Sequence, residues 1–148
     1  EALDGALRNA AVLLDGVLGT GIQLPLKDEV AEVLRRVKQS AFCPPVVAVD
    51  CPSGVDCDSG EMALECIPAD LTVAMAAVKQ GLLKLPAFEL VGALAVVDIG
   101  LPDDLASFQE LKAEVADHEL VARLLPDRPL EPHQGIFGTA LIVAGSQS

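Results

Sequence analysis

Two short apolar runs, each ending on an aspartate, constrain the fold of this chain more than any other feature: Ala10–Leu14 ahead of Asp15, and Val46–Val49 ahead of Asp50. Each is too short for a helix and unbroken by polar residues, the pattern of a strand buried on both faces. Between them Leu26, Val30, Val33, Leu34 and Val37 recur at helical spacing. Asp28, Glu29 and Glu32 fall near the start of that stretch and Arg35, Arg36 and Lys38 near its end, as the helix macrodipole favours. Strand, helix, strand is a βαβ unit, which demands a parallel sheet. The prediction is an α/β fold with a three-layer α/β/α arrangement.

Leu71–Met75 and Leu94–Val97 read as two further strands. The 50s and 60s hold Gly54, Gly60 and Pro68 with no helical period, and a loop of that length predicts function. After Gly100-Leu101-Pro102 the chain turns helical and charged, with Asp117 placed to cap a short helix through Leu125. Three prolines in Leu125–Pro132 then mark a linker. Beyond it His133, Gln134, Gly135 and Gly138 lead into a strand-like Leu141–Val143. The first residue is Glu1, and the last follows an apolar run and Gly145, so the expectation is an internal fragment.

Composition narrows the partners. A net charge of -12 with only 10 Lys and Arg argues against nucleic acid and anionic membrane surfaces, both of which need clustered basic side chains. Aromatics are 3%, so neither base stacking nor an aromatic protein anchor is on offer, and a small polar ligand fits better. Cys43, Cys51, Cys57 and Cys66 match no CxxC spacing and read as isolated thiols in a reducing cytoplasm. No run approaches the roughly 20 apolar residues of a membrane span.

Parallel strands deliver their next residues to the carboxyl edge of the sheet, so Asp15, Asp50 and Ser53 should surround one crevice. Gly19 and Gly21 let backbone N–H groups approach an anion, or serve a plain turn. The dinucleotide fingerprint fails at Leu24, and there is no GK[ST] loop. Asp15 is either a turn cap or, with the Ser53 hydroxyl, an oxygen ligand for a hard cation. Asp50, stiffened by Pro52, is either a cap or an acid/base group. Ser53 lacks the first glycine of a hydrolase elbow, and Asp56-x-Asp58 carries Glu61 where a calcium loop needs glycine.

Taken in order, DGVLGTG, AVDCPSGVDCDSG, ADLTVAMAAVKQGLL and GALAVVDIGLP resemble the second half of the YjeF-type NAD(P)H-hydrate epimerase domain, over about residues 10–102. LLPDRP with HQGIFGTALIVAGS resembles the entry into the ADP-dependent NAD(P)H-hydrate dehydratase domain of bifunctional repair proteins. The resemblance implies a Rossmann-like sheet over residues 1–113, a helix and Pro-rich linker at 114–132, and the start of the dehydratase domain at 133–148. It implies a potassium ion on Asp15 and Ser53, and hydrated NADH or NADPH bound by Gly19, Thr20, Gly21, Ile22, Gln23, Leu24 and Pro25. Asp50 would be the catalytic contact to the damaged nicotinamide ring. ADP, with Mg2+ as an optional companion, would bind the dehydratase half beyond Ser148. A further potassium-binding asparagine belongs to the first half of the epimerase domain, so this chain alone should be inactive. A homo-oligomer is left open. Gly16 stands where the family often has alanine, Ala76 and Ala77 replace a more glycine-rich turn, and Gln134 stands where lysine is usual. Two alternatives remain: a non-catalytic Rossmann-like module binding a nucleotide or protein, and an NAD(P)-dependent oxidoreductase.

Overall fold

The computed structural model describes residues 2–102, 104–125 and 141. The chain divides into two compact units, residues 1–111 and 112–148. The first contains α1 (Ala2–Asn9), β1 (Leu13–Asp15), α2 (Asp28–Lys38), β2 (Val46–Val49), β3 (Leu71–Met75), β4 (Ala93–Val97) and α3 (Ala106–Gln109), with 3-10 turns at Gln80–Leu83 and Ala87–Leu90. The four strands form one parallel sheet in the order β1-β2-β3-β4. This is the α/β, Rossmann-like class that the alternation of strand and helix demanded. In the second unit α4 (His118–Leu124) is capped as expected, the Leu120 N–H donating to Asp117 Oδ1 at 2.7 Å. The linker from 126 onward and the strand expected at Leu141–Val143 fall outside the described residues, Leu141 apart.

The helix between β1 and β2 buries Ala31, Leu34 and Val37. Val33 was expected on that face and is 47% exposed. A stripe through positions 30, 34 and 37 takes Ala31 at its edge, and position 33 lies one residue's rotation of about 100° to the far side of Leu34. Leu34 and Val37 pack with Leu7 of α1 against Val46, Ala48, Ile67 and Ala69. Each such aliphatic side chain contributes roughly 1.5–3 kcal/mol on leaving water.

The register places Leu13, Asp15, Val46, Ala48, Thr72 and Ala74 on this covered face. Leu14, Val47, Val49, Leu71 and Val73 point the other way and enter neither core cluster. The expectation that Ala10–Leu14 is buried on both faces is therefore corrected, because Val12 is 44% and Leu14 65% exposed. The described helices that contribute to a core cluster both pack on the Val46 and Ala48 side.

The long loop after β2 carries no regular helix, as its composition predicts. It builds a second core from Cys51, Val55, Cys57, Ala63 and Cys66 with Leu82, Ala87 and Val91. An Asx turn, in which Asp56 Oδ1 accepts from the Asp58 and Ser59 N–H groups at 3.0 and 2.7 Å, reverses the chain, and Val55 bridges Met62. A core assembled from turns has no sequence period to announce it. Gly54 is required here: its φ is +94°, and a Cβ would stand 2.7 Å from Cys66 Sγ.

Candidate functional site

β1 and β2 end side by side, with Asp15 in register with Ala48. Asp15 is therefore the last residue of β1, and the chain leaving β2 runs through Asp50, Cys51 and Pro52 to Ser53. The two exits converge. Ser53 donates its backbone N–H to Asp15 Oδ2 at 2.8 Å, and its Oγ accepts the Leu18 N–H at 3.0 Å. Both residues are buried, Asp15 to 3% exposure and Ser53 to 0%.

Asp15 Oδ1 is buried and, among the described residues, has no hydrogen-bond partner. A carboxylate in that position keeps a desolvation cost of several kcal/mol unless a cation or a proton meets it. The oxygen-bearing side chains brought together at these two strand exits are a carboxylate and a hydroxyl, which suit a hard cation. Among the described residues no group of three or more His, Cys, Asp or Glu gathers. The chemistry of Asp15 and Ser53, a carboxylate oxygen and a hydroxyl, is compatible with the potassium ion that the resemblance implies.

The loop after β1 walls a cavity of about 420 Å³ lined by Leu18, Gly21, Ile22, Gln23, Leu26, Lys27 and Val30. Of the expected ligand-binding residues, Gly21, Ile22 and Gln23 face this space, and Gly21 has φ +78°. Gly19 and Thr20 are exposed beside it. Leu24 and Pro25 do not line it. Leu24 packs against the second core, and both contribute to a separate depression with Met62, Ala63, Leu64 and Glu65.

Asp50 has φ +70°, a left-handed conformation that aspartate tolerates better than most side chains. Its N–H donates to the Val73 carbonyl at 2.8 Å, continuing the β2–β3 ladder. Its Oδ1 accepts from the Met75 N–H at 2.9 Å and from Lys79 Nζ. The same ammonium donates to the Met75 carbonyl at 2.9 Å. Asp50 is thus braced against the end of β3 rather than on the cavity wall. No sequence pattern singles out Lys79. Its only signal was a cation just past a strand end, in a chain of 10 basic residues.

Cys51 and Cys57 are buried beside this pair, and the hydrogen bond between their thiols, aided by burial, pushes Cys51 far above the ordinary thiol range. The same bond draws Cys57 down. Burial raises Cys66. Cys51 and Cys66 are therefore held as packed neutral thiols.

Residues 1–81 match the family model described as YjeF-related protein N-terminus. The chain is 34% identical, over 99% of its length, to a protein of Moorella thermoacetica named bifunctional NAD(P)H-hydrate repair enzyme Nnr, of which it covers 27%. It is 37% identical to a protein of the same name from Thermofilum pendens, again over 99% of the chain and 27% of the relative. A Leishmania major bifunctional NAD(P)H-hydrate repair enzyme is 33% identical over 90% of the chain and 24% of its own length. The chain spans about a quarter of the length of the curated relatives it matches.

Proposed function

The chain belongs to the YjeF-related N-terminal family, and on that premise we propose that it carries the strand-end half of an NAD(P)H-hydrate epimerase site working in nicotinamide nucleotide repair. The observation that carries this reading is the contact of Asp15 with Ser53 across two strand exits, leaving one buried carboxylate oxygen unmatched, next to a cavity walled by the following loop. Neither a non-catalytic module nor an oxidoreductase is favoured by that arrangement together with the family.

Hydration of a reduced nicotinamide puts a hydroxyl on the carbon beside the ring nitrogen. The nitrogen lone pair can expel it as water once the hydroxyl receives a proton, and water returning from either face interconverts the two epimers. In this reading the loop Gly19–Pro25 holds the nucleotide, and Asp50 is the acid/base group at the damaged ring. Asp15 and Ser53 hold potassium, which when bound supplies a fixed positive charge at the sheet edge. The Ser53 N–H keeps Asp15 oriented, and the Leu18 N–H keeps the hydroxyl of Ser53 in place.

In the complete protein we place an ADP-dependent dehydratase half after this one, in keeping with the bifunctional name of its relatives. The residues expected to open it lie outside the described residues. No described helix is long and apolar enough to cross a membrane, and we place the protein in the cytoplasm, where the dissolved cofactor is repaired. The isolated 148-residue chain should not turn over.

The test is epimer interconversion of hydrated NADH by the complete protein that carries this sequence. The rate should rise with potassium and fall by about 100-fold or more in Asp50→Asn, the usual scale of a lost acid/base group. Undiminished epimerisation by that variant would remove Asp50 from the chemistry.

A further inference from the structure

Among the described residues only Asp50 (φ +70°) and Ala76 (φ +62°) take left-handed backbone without being glycine. Both belong to one constellation. The turn at Ala76, reinforced by the Ala77 N–H donating to the Met75 carbonyl at 2.7 Å, folds the chain back over the end of β3. That brings Lys79, four residues past Met75, into contact with Asp50, which leaves the end of the neighbouring strand. Alanine has no side-chain group to soften a left-handed conformation, which is strained for any residue with a Cβ. Strain gathered at one ion pair is a mark of a site built for use.

The anchor behind Lys79 is rigid. Two residues on, Gly81 donates its N–H to the Cys57 carbonyl at 2.7 Å, and a Cβ there would overlap the Asp56 carbonyl oxygen. Leu82, next in line, is fully buried. The lysine side chain therefore projects from a fixed backbone, and it and Asp50 stay 21% and 20% exposed, within reach of a ligand.

Their hydrogen bonds leave a definite remainder. Lys79 directs two N–H groups at Asp50 Oδ1 and the Met75 carbonyl, so among the described residues its third is uncommitted. Asp50 uses Oδ1 for Lys79 and the Met75 N–H, and no described hydrogen bond reaches Oδ2. The pair offers one donor and one acceptor side by side.

Resting on the epimerase reading above, we propose that Lys79 is a second catalytic residue, the proton donor to the departing hydroxyl, with Asp50 as its paired base. The Lys79 ammonium gives a proton to the ring hydroxyl; the carbon–oxygen bond breaks, water leaves, and the nitrogen lone pair forms the ring C=N bond. Water then adds from either face, and its surplus proton passes to the Asp50 carboxylate. Transfer of that proton from Asp50 to the neutral Lys79 amine across their contact restores the starting pair, so no outside acid, base or oxidant is consumed.

The experiment measures kcat and KM for epimer interconversion of hydrated NADH, in the complete protein, for wild type, Lys79→Ala, Lys79→Arg and Asp50→Asn. Lys79→Ala should lose about 100-fold or more in kcat with KM within threefold, and added methylammonium should restore part of the rate. Lys79→Arg keeps the charge and the ion pair, hence the fold, but a guanidinium does not give up its proton, so kcat should fall nearly as far. The double variant with Asp50→Asn should be no slower than the slower single, because the pair acts as a unit. Wild-type kcat in Lys79→Arg would overturn the proposal even if Lys79→Ala fails to fold. Loss in Lys79→Ala without any amine rescue, beside an active Lys79→Arg, would reduce Lys79 to a positioning charge. A wild type that interconverts no epimers would sink the epimerase reading itself, and this assignment with it.

Discussion

Replacing Asp15 by asparagine isolates the energetic role of the unmatched oxygen. The wild-type carboxylate is 3% exposed, satisfied at Oδ2 by one neutral N–H and at Oδ1 by nothing described. Asparagine keeps the acceptor for Ser53 and removes the charge, at the expense of an unsatisfied amide worth about 1–3 kcal/mol. That is less than the several kcal/mol of an unpaired buried ion. Without a cation small enough to enter, Asp15→Asn should therefore be as stable as wild type or more so. Potassium should reverse the order. At a concentration 100 times its dissociation constant it stabilises the folded protein by about 2.7 kcal/mol, or about 5–10 °C in Tm at roughly 2–4 °C per kcal/mol. Differential scanning calorimetry of the complete protein, in potassium chloride and in tetramethylammonium chloride at equal ionic strength, reads both effects without any substrate. The expected result is a wild-type Tm several degrees higher in potassium and an Asp15→Asn Tm that does not move. Equal wild-type Tm values in the two salts, or an undiminished potassium response in the variant, would refute the cation assignment.

Further outcomes follow from the same contacts. Gly81→Ala drives a Cβ into the backbone of Asp56 and Cys57 and should destabilise by about 1–3 kcal/mol, the usual range for overpacking, visible as a lower urea midpoint. A thiol reagent should label exposed Cys43 promptly and reach Cys51, Cys57 and Cys66 only on unfolding; fast labelling of more than one thiol in the native protein would contradict the second core. The Asp56 carboxyl is held below its ordinary value, chiefly by the N–H groups of Ser59 and Asp58. Its folded pKa is depressed, so its contribution is complete above the ordinary carboxylate pKa and is lost as pH falls through the lower folded value. Asp56→Asn should therefore lower stability in the neutral region and flatten the acid limb, converging on wild type as pH falls through the folded value, as followed by urea denaturation at stepped pH.

Much of this architecture was legible because it is written in local pattern. Val46–Val49 and Leu71–Met75 were read to the residue, and β4 to within one, since continuous apolar runs between turn residues leave few alternatives. The first strand came out shorter than its apolar run, starting at Leu13 rather than Ala10, because pairing with β2 rather than hydropathy sets where a ladder begins. The helix α1 escaped notice, and so did the second core, whose residues come from turns with no period. Asp15 and Ser53 were expected at one crevice from strand order alone, and they touch.

The amino-acid sequence by itself determined the parallel sheet, the helix between its first strands and the aspartates at two strand ends, since each depends on residues only a few positions apart. Only the tertiary structure decided that Val33 faces solvent, that one face of β1 lies open, and that Asp15 keeps an oxygen with nothing to bind. It alone joined Lys79 to Asp50, 29 positions apart. Such a contact is set by the register of neighbouring strands and one strained turn at Ala76, and no local periodicity records either.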